Sequence, residues 1–157
     1  MSVVKTIYDD LTYAIIGAAM SVHRELGTGF PEEVYQKALL IALTEQNLAA
    51  QREVLFTAEF HGQTVGKFYI DIFVDEAVVV ELKAVDAFHK KHEQQIIAYL
   101  TATGREVGLL FNFGTESLQT KRLFAPQSIQ KSRAYQDKLH LWKPAWIANK
   151  GKSVPSV

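Results

Sequence analysis

Three charged residues interrupt two apolar runs near the middle of the chain. Residues 68–83 read FYIDIFVDEAVVVELK; an acidic turn joins the two runs, and the residues that interrupt them are Asp71, Glu81 and Lys83. Runs this rich in Val, Ile and Phe are typical of central strands, where a charge is costly unless it is paired or bound to a ligand. Two carboxylates suit a divalent metal ion, and a lysine suits a phosphate beside it. The stretch therefore predicts a metal-dependent site for phosphate chemistry.

The length of the loop between the two strands decides whether the carboxylates meet. A two-residue loop would set Asp71 opposite Val80 and put the carboxylates on different faces. A three-residue loop, 75–77, would pair Asp71 with Glu81, with Cβ atoms about 4.5–5.5 Å apart. We predict the three-residue loop, because only this register forms a metal site. Strict alternation would place Phe68, Ile70, Ile72 and Val74 on one face of the earlier strand, and Tyr69, Asp71 and Phe73 on the other.

Lys83 shares a face with Glu81 and is two residues from it. It could orient or deprotonate an attacking water, or hold the phosphate. The structural alternative is that Asp71 forms a half-buried salt bridge with Lys83 while Glu81 caps a loop.

The elements that must position these residues follow from the hydrophobic periodicity. Apolar residues recur with helical period after Thr6 and again after Pro31, and the period changes to two from Val54. The expected order is α-α-β-β-β-α-β, an α/β (α+β) domain. The expected elements are helices over 6–26, 31–46 and 87–103, strands over 54–60, 65–74, 78–83 and 107–113, a small edge strand at 123–124, and a weakly amphipathic helix over 127–141.

Length and composition favour one domain over residues 1–143, followed by an irregular or disordered tail over 144–157. The 157 residues are 48% hydrophobic, and 17 basic residues balance 17 acidic ones. A neutral chain gives no support to a nucleic-acid coat protein, but it leaves room for an enzyme with a local basic groove. The absence of cysteine excludes disulfides, zinc–thiolate sites and thiol catalysis.

Neither a signal peptide nor a membrane-spanning segment is expected. The N-terminus lacks a basic region followed by an apolar core, so it does not resemble a signal peptide. No run approaches the roughly 18 apolar residues that span a bilayer. We expect a cytoplasmic protein with no membrane contact.

Several spaced motifs resemble the GxxExxY protein family. Gly29, Glu32 and Tyr35 fit the motif that names it, and the likeness extends over about residues 6–124. The other matching positions are Asp71, Glu81-Leu82-Lys83, His92, Gln95, Tyr99 and the segment 108–114. This family resembles the PD-(D/E)XK nuclease superfamily. The resemblance implies a restriction-endonuclease-like core, a central mixed sheet flanked by helices.

The resemblance also implies roles for single residues. Asp71 corresponds to the strand aspartate, and Glu81 with Lys83 to the E-x-K pair. Glu32 corresponds to an acidic residue that some branches add to the metal shell, so the implied metal ligands are Glu32, Asp71 and Glu81. The superfamily pattern often has a basic residue two positions before the aspartate. Tyr69 stands there, and the loss of that charge would weaken a phosphate contact but leaves the metal ligands intact.

Gln95 and Tyr99 match a Q-x-x-x-Y motif on the helix after the third strand. Their spacing of four puts both on one helical face. The resemblance implies that they contact the nucleic-acid backbone or support Lys83. The implied catalytic set is Asp71, Glu81, Lys83, Gln95 and Tyr99.

These observations together predict a nuclease that depends on Mg²⁺ or Mn²⁺ and hydrolyses DNA or RNA through an activated water. The expected partners are nucleic acid and, as a further option, a second copy in a homodimer. One alternative is a non-catalytic nucleic-acid- or protein-binding module that keeps the fold. Another is a structural homodimer whose buried charges only set the strand register. His92 is expected to be a solvated residue at a helix start, and His23 either approaches the site or ends its helix.

Overall fold

A computed structural model describes residues 8–131 of the chain. Its elements are α1 (Asp9–Leu26), α2 (Glu32–Glu45), β1 (Ala50–Phe60), β2 (Gln63–Val74), β3 (Val78–Lys83), α3 (Lys90–Thr103), β4 (Val107–Asn112), β5 (Gln119–Phe124) and α4 (Gln127–Gln130). The predicted order is confirmed, and the edge strand is longer than expected. Within 8–131 no helix is both long and apolar enough to cross a bilayer. The helix cap at Thr6, residues 132–141 of the last predicted helix and the tail 144–157 lie outside the described residues.

The five strands form one mixed sheet in the order β1-β2-β3-β4-β5. β3 and β4 run parallel, and the other neighbouring pairs are antiparallel. A parallel pair needs a crossover connection, and α3 supplies it. The predicted fold class, an α+β domain with a mixed sheet flanked by helices, is confirmed.

The sheet buries both of its faces. On one face α1 and α2 pack against inward residues of β3 and β4, among them Val80 and Leu109. On the other face α3 places Ile96 and Leu100 against Val79 and Leu110. Because both faces of β3 are covered, each of its residues from Val78 to Leu82 is buried, and this includes Glu81.

β2 does not keep one face throughout, and here the prediction from strict alternation is wrong. Ile72 and Val74 pack under α1 and α2, whereas Phe68, Ile70 and Phe73 pack under α3. The change occurs at Asp71, next to the pairs Arg52↔Ile72 and Val54↔Ile70. Glu53, between those β1 residues, has a left-handed backbone with φ of 55°. This irregularity in β1 is accompanied by a local twist of β2, so that the side chains of β2 change face at Asp71.

The turn between α1 and α2 is held by Tyr35, which is fully buried. Its hydroxyl donates to the carbonyl of Gly27 at 2.6 Å and accepts from the N–H of Phe30 at 3.3 Å. Its ring stacks on Phe113 with centroids 4.7 Å apart. Gly29 has a φ of 106°, which favours glycine. The Gly and Tyr of the GxxExxY pattern therefore shape the start of α2, the helix that carries Glu32.

Candidate active site

The β2–β3 hairpin has the predicted three-residue loop. Val74 pairs with Val78 and Ile72 with Val80, so the loop is Asp75-Glu76-Ala77. One further step along this register sets Asp71 opposite Glu81. The loop contains no glycine, although Asp75 and Glu76 both have a φ of 52°. The main chain of Asp75 donates to Ala49 O at 2.6 Å, and its carboxylate accepts from Ala49 N at 3.0 Å. These two bonds to the residue before β1 help to hold the left-handed turn.

The ladder between β2 and β3 ends at Ile72↔Val80, and carboxylates occupy the space beyond it. Asp71 N donates to Glu81 Oε1 at 3.2 Å. Leu82 N donates to Asp71 Oδ2 at 2.9 Å. Side chains therefore replace the missing ladder bonds and keep the two carboxylates next to each other.

Burial makes this pair electrostatically unfavourable without a cation. Glu81 is only 3% exposed. Burial, followed by the charge of Asp71, raises the pKa of Glu81 to about 9. Burial also raises the pKa of Asp71, although the hydrogen bond from Leu82 N opposes this. Two adjacent oxygen-only ligands whose charges repel form a donor set that fits a small hard dication.

Lys83 follows Glu81 on the same face of β3 and is partly buried. Its charge lowers the pKa of both Asp71 and Glu81, although burial is the largest influence on each group. Asp71 and Lys83 form no salt bridge within residues 8–131. The structural alternative is therefore wrong, because Glu81 is buried beside Asp71 and does not cap a loop.

Glu32 approaches from the first turn of α2. Its Oε1 accepts from Ala84 N at 3.3 Å, directly after Lys83. A cavity of about 360 Å³ opens beside it and is lined by Glu32, Glu33, Gln36, Arg52, Glu53, Asp71 and Leu82. Glu32 and Asp71 thus share one cavity. No group of three or more His, Cys, Asp or Glu side chains is arranged to hold a metal ion anywhere in residues 8–131. The structure therefore joins Asp71 with Glu81, and leaves Glu32 bonded to the main chain beside them.

Gln36 was not predicted from the sequence. It lies one helical turn after Glu32 and is 5% exposed. Its Nε2 donates to Asp71 O at 3.2 Å and to Glu53 Oε1 at 3.0 Å, and its Oε1 accepts from Arg52 Nε. This side chain ties α2 to the place where β2 changes face. The spacing of four from Glu32 is the one feature of the sequence that could have indicated it.

Glu53 was also missed. Its carboxylate lines the same cavity, and its charge is one of the weaker influences that raise the pKa of Asp71, after burial. No sequence pattern indicates it, because its position follows from a left-handed backbone within β1.

Gln95 and Tyr99 share one face of α3, as predicted. Gln95 Nε2 donates to the Tyr99 hydroxyl at 3.1 Å. The Tyr99 ring stacks on Phe68 with centroids 4.3 Å apart. Burial raises the pKa of Tyr99, and the charges of Glu81 and Asp71 raise it further. The Tyr99 hydroxyl therefore lies within electrostatic reach of the carboxylate pair.

The histidines at the start of α3 have a capping role. His89 Nδ1 accepts from Lys91 N at 3.1 Å, and His92 Nδ1 accepts from His89 N at 3.1 Å. Burial lowers the pKa of His92, and the charge of Lys83 lowers it further. His92 lies at the helix start as expected, but it is half-buried rather than solvated, and the helix presents this end towards Lys83. His23 is bonded through Nε2 to Thr115 O at 2.9 Å, and it lines a separate groove of about 730 Å³.

Asn112 holds the segment that follows Lys83, and it is fully buried. Its Oδ1 accepts from Val85 N and Gly114 N, both at 3.0 Å. Its Nδ2 donates to Val85 O and Gln119 Oε1, also at 3.0 Å. Because β3 and β4 are parallel with Lys83 beside Asn112, these bonds fix the chain as it leaves the site.

Comparison with solved structures shows a likeness in fold to proteins of low sequence identity. The crystal structure of SSO0001 superposes with a TM-score of 0.50 at 20% identity, covering 85% of this chain and 68% of that one. An alkaline exonuclease (LHK-Exo) from Laribacter hongkongensis gives a TM-score of 0.46 at 12% identity, covering 88% of this chain and 81% of that one. A comparison with curated protein sequences gives no match.

The family comparison covers most of the chain. The family model of the PD-(D/E)XK nuclease superfamily matches residues 9–123, from the start of α1 into β5. This span contains the carboxylate pair, Lys83 and the helices beside them. Because this model matches most of the chain, the chain belongs to the PD-(D/E)XK nuclease superfamily.

Proposed function

We propose that this protein is a divalent-metal-dependent nuclease that hydrolyses phosphodiester bonds of DNA or RNA. The observation that carries the proposal is the pair Asp71 and Glu81, joined where β2 and β3 stop pairing, with Lys83 on the same face as Glu81. A buried pair of this kind is costly for the fold, and a bound dication would remove most of that cost.

Asp71 and Glu81 would hold the ion, Mg²⁺ or Mn²⁺, as its protein ligands. Glu32 would join them from α2 by exchanging its bond to Ala84 N for the ion, since it already lines the cavity that Asp71 shares. When bound, the ion would activate a water for attack on phosphorus and stabilise the negative charge that develops on the phosphate. Mg²⁺ sites in proteins usually keep water and substrate phosphate among their ligands.

Lys83 would bind the scissile phosphate or orient the attacking water. Its ammonium lies near both carboxylates but forms no salt bridge with them within residues 8–131, so its hydrogen-bond donors remain available for substrate. Gln95 and Tyr99, bonded to each other, would contact the nucleic-acid backbone or support Lys83 from the α3 side. Membership of the GxxExxY family is part of this proposal, on the match of Gly29, Glu32 and Tyr35.

A cleavage assay with matched variants tests the proposal. Labelled single- and double-stranded DNA and RNA would be incubated with the protein in Mg²⁺, in Mn²⁺ and in a chelator. We expect cleavage of at least one substrate that requires the metal and is lost in Asp71→Asn, Glu81→Gln and Lys83→Ala. Glu45→Gln is the control, because Glu45 is exposed at the far end of α2. Cleavage that persists in Asp71→Asn and Lys83→Ala would show a contaminant, and binding without cleavage would identify a binding module.

A further inference from the structure

Within residues 8–131, the β1–β2 hairpin has a face beside the candidate site on which apolar side chains are exposed. Leu55 and Tyr69 are cross-strand partners on it, and they are 48% and 55% exposed. Their neighbours Val54 and Ile70 pack under α3. Since successive side chains point to opposite faces, Leu55 and Tyr69 lie on the side of the sheet away from α3.

The cavity of the candidate site lies on the same side of the sheet, because Glu32 and Gln36 of α2 line it and α2 packs on the side away from α3. Glu53 and Asp71, which line the cavity, are each two residues from Leu55 and Tyr69 along their strands. Two residues of a strand span about 7 Å. The Tyr69 ring would therefore lie within about 7 Å, along the strand, of a ligand held by Asp71.

Tyr69 has no structural task within the described part of the chain. Its ring and hydroxyl make no contact with another ring and no hydrogen bond in residues 8–131, whereas Tyr35 and Tyr99 each stack on a phenylalanine. Lys67 is exposed two pairs further out, opposite Thr57, and so lies on the same face as Tyr69. An unpartnered aromatic ring with a cation on the same face has the composition of a surface that binds unpaired nucleotides.

We propose that Tyr69 is a stacking platform for an unpaired base, with Leu55 beside it and Lys67 on the adjoining phosphate, so that the preferred ligand is single-stranded nucleic acid. This deepens the proposed function and rests on it, since it assigns the substrate class of the same site. Only an unpaired strand offers a free base face at the surface, because the bases of a duplex are stacked inside it. A negatively charged backbone also matches the charge of Lys67.

Binding measured without cleavage tests this proposal. A fluorescein-labelled oligothymidine and a duplex of equal length would be titrated with the full chain in a chelator, with fluorescence anisotropy as the readout. Base–aromatic stacking contributes about 1–3 kcal/mol per base, so Tyr69→Ala should raise the Kd for the single strand by about tenfold or more. Tyr69→Phe, which keeps the ring, should stay within about twofold of the wild type. The Kd for the duplex should change much less.

One control and two further measurements test the same surface. Tyr13→Ala removes a tyrosine that is 82% exposed on α1, and it should leave both Kd values unchanged. Lys67→Gln should reduce the salt dependence of single-strand binding by about 0.7 in the log–log slope. Photocrosslinking of the wild type to a 5-iodouracil oligonucleotide, followed by peptide mapping, should label Tyr69 and does not depend on how well a variant folds.

Three results would overturn the platform. The first is a Tyr69→Ala variant that binds the single strand with the wild-type Kd. The second is a Tyr69→Ala variant whose Kd rises equally for single strand and duplex. The third is a wild type that shows no measurable binding of the single strand. The result is separable from that of the cleavage assay. If the wild type cleaves nucleic acid and Tyr69→Ala binds the single strand with wild-type affinity, only the stacking proposal is wrong. If binding depends on Tyr69 but no substrate is cleaved, only the nuclease proposal is wrong.

Discussion

Asp71 and Glu81 stand opposite each other where β2 and β3 stop pairing, and each carboxylate accepts a hydrogen bond from the main chain of the other strand. The distances are 3.2 Å from Asp71 N to Glu81 Oε1 and 2.9 Å from Leu82 N to Asp71 Oδ2. The bonds join the strands beyond the last ladder pair. They also force two acids into one buried space, with consequences for stability, metal binding and pH dependence.

The metal-free protein should lose stability as pH rises, because of Glu81. Burial and the charge of Asp71 raise its pKa in the folded state from 4.5 to about 9. Between those values the folded protein keeps a proton that the unfolded chain releases, so the free energy of unfolding falls with rising pH, by at most about 1.4 kcal/mol per pH unit from this group. Urea unfolding in a chelator from pH 5 to pH 9 would measure the slope. Glu81→Gln should flatten it and Glu45→Gln should not; equal slopes in all three proteins would contradict the assignment.

Divalent metal should stabilise the wild type through Asp71 and Glu81. A ligand present at 100 times its Kd adds about 2.7 kcal/mol to the free energy of unfolding. Thermal unfolding with increasing Mn²⁺ or Mg²⁺ should therefore shift the wild-type Tm upwards. Asp71→Asn should abolish most of the shift, while Glu33→Gln, on the exposed part of the cavity wall, should retain it. The same shift in Asp71→Asn would place the ion elsewhere.

Gln36→Leu should lower both stability and activity. Gln36 is buried, and the change removes its amide donor to Asp71 O and Glu53 Oε1. It also removes the acceptor for Arg52 Nε. Leaving buried polar groups without partners costs about 1–3 kcal/mol. Since Gln36 would act through the position of Asp71, kcat should fall more than KM rises. Gln94→Leu on the exposed side of α3 is the control, and an equal change in both variants would argue against a positioning role.

Tyr35→Phe should destabilise the turn between α1 and α2 while the stack on Phe113 remains. The variant loses the bond to Gly27 O and the acceptor for Phe30 N. A cost of about 1–3 kcal/mol is expected, since both partners are left unpaired. Chemical denaturation would measure it, with Tyr13→Phe at an exposed position as the comparison. A wild-type free energy of unfolding in Tyr35→Phe would show that the hydroxyl does not hold this turn.

Glycine substitutions should have opposite effects at two positions. A Cβ at Gly108 would lie 2.6 Å from Ile96 Cγ2, so Gly108→Ala would force α3 away from β4. Overpacking of this kind costs about 1–3 kcal/mol. Gly17 lies inside α1 with nothing within 4 Å of an added Cβ, so Gly17→Ala should stabilise the protein by about 0.5–1 kcal/mol. A drop in Tm for Gly17→Ala, or none for Gly108→Ala, would contradict this account of the packing.

The order of the elements could be predicted from the sequence because it depends on local periodicity, whereas the three-residue loop was predicted because only that register pairs Asp71 with Glu81. Strand β3 has the predicted bounds, Val78–Lys83, and the loop has the predicted three residues, so Asp71 and Glu81 could be paired in advance. Gln95 and Tyr99 could be placed on one helical face because of the same local periodicity.

The way in which distant segments meet at the site could not be predicted from the sequence and is seen only in the tertiary structure. The left-handed backbone of Glu53 turns β2 at Asp71, and strict alternation could not anticipate it. The bonds of Gln36 and the orientation of Glu32 towards Ala84 N depend on how α2 docks on the sheet. These contacts join residues far apart in the chain, and their geometry is set by packing and by single unusual backbone angles, which leave no periodic pattern in the sequence.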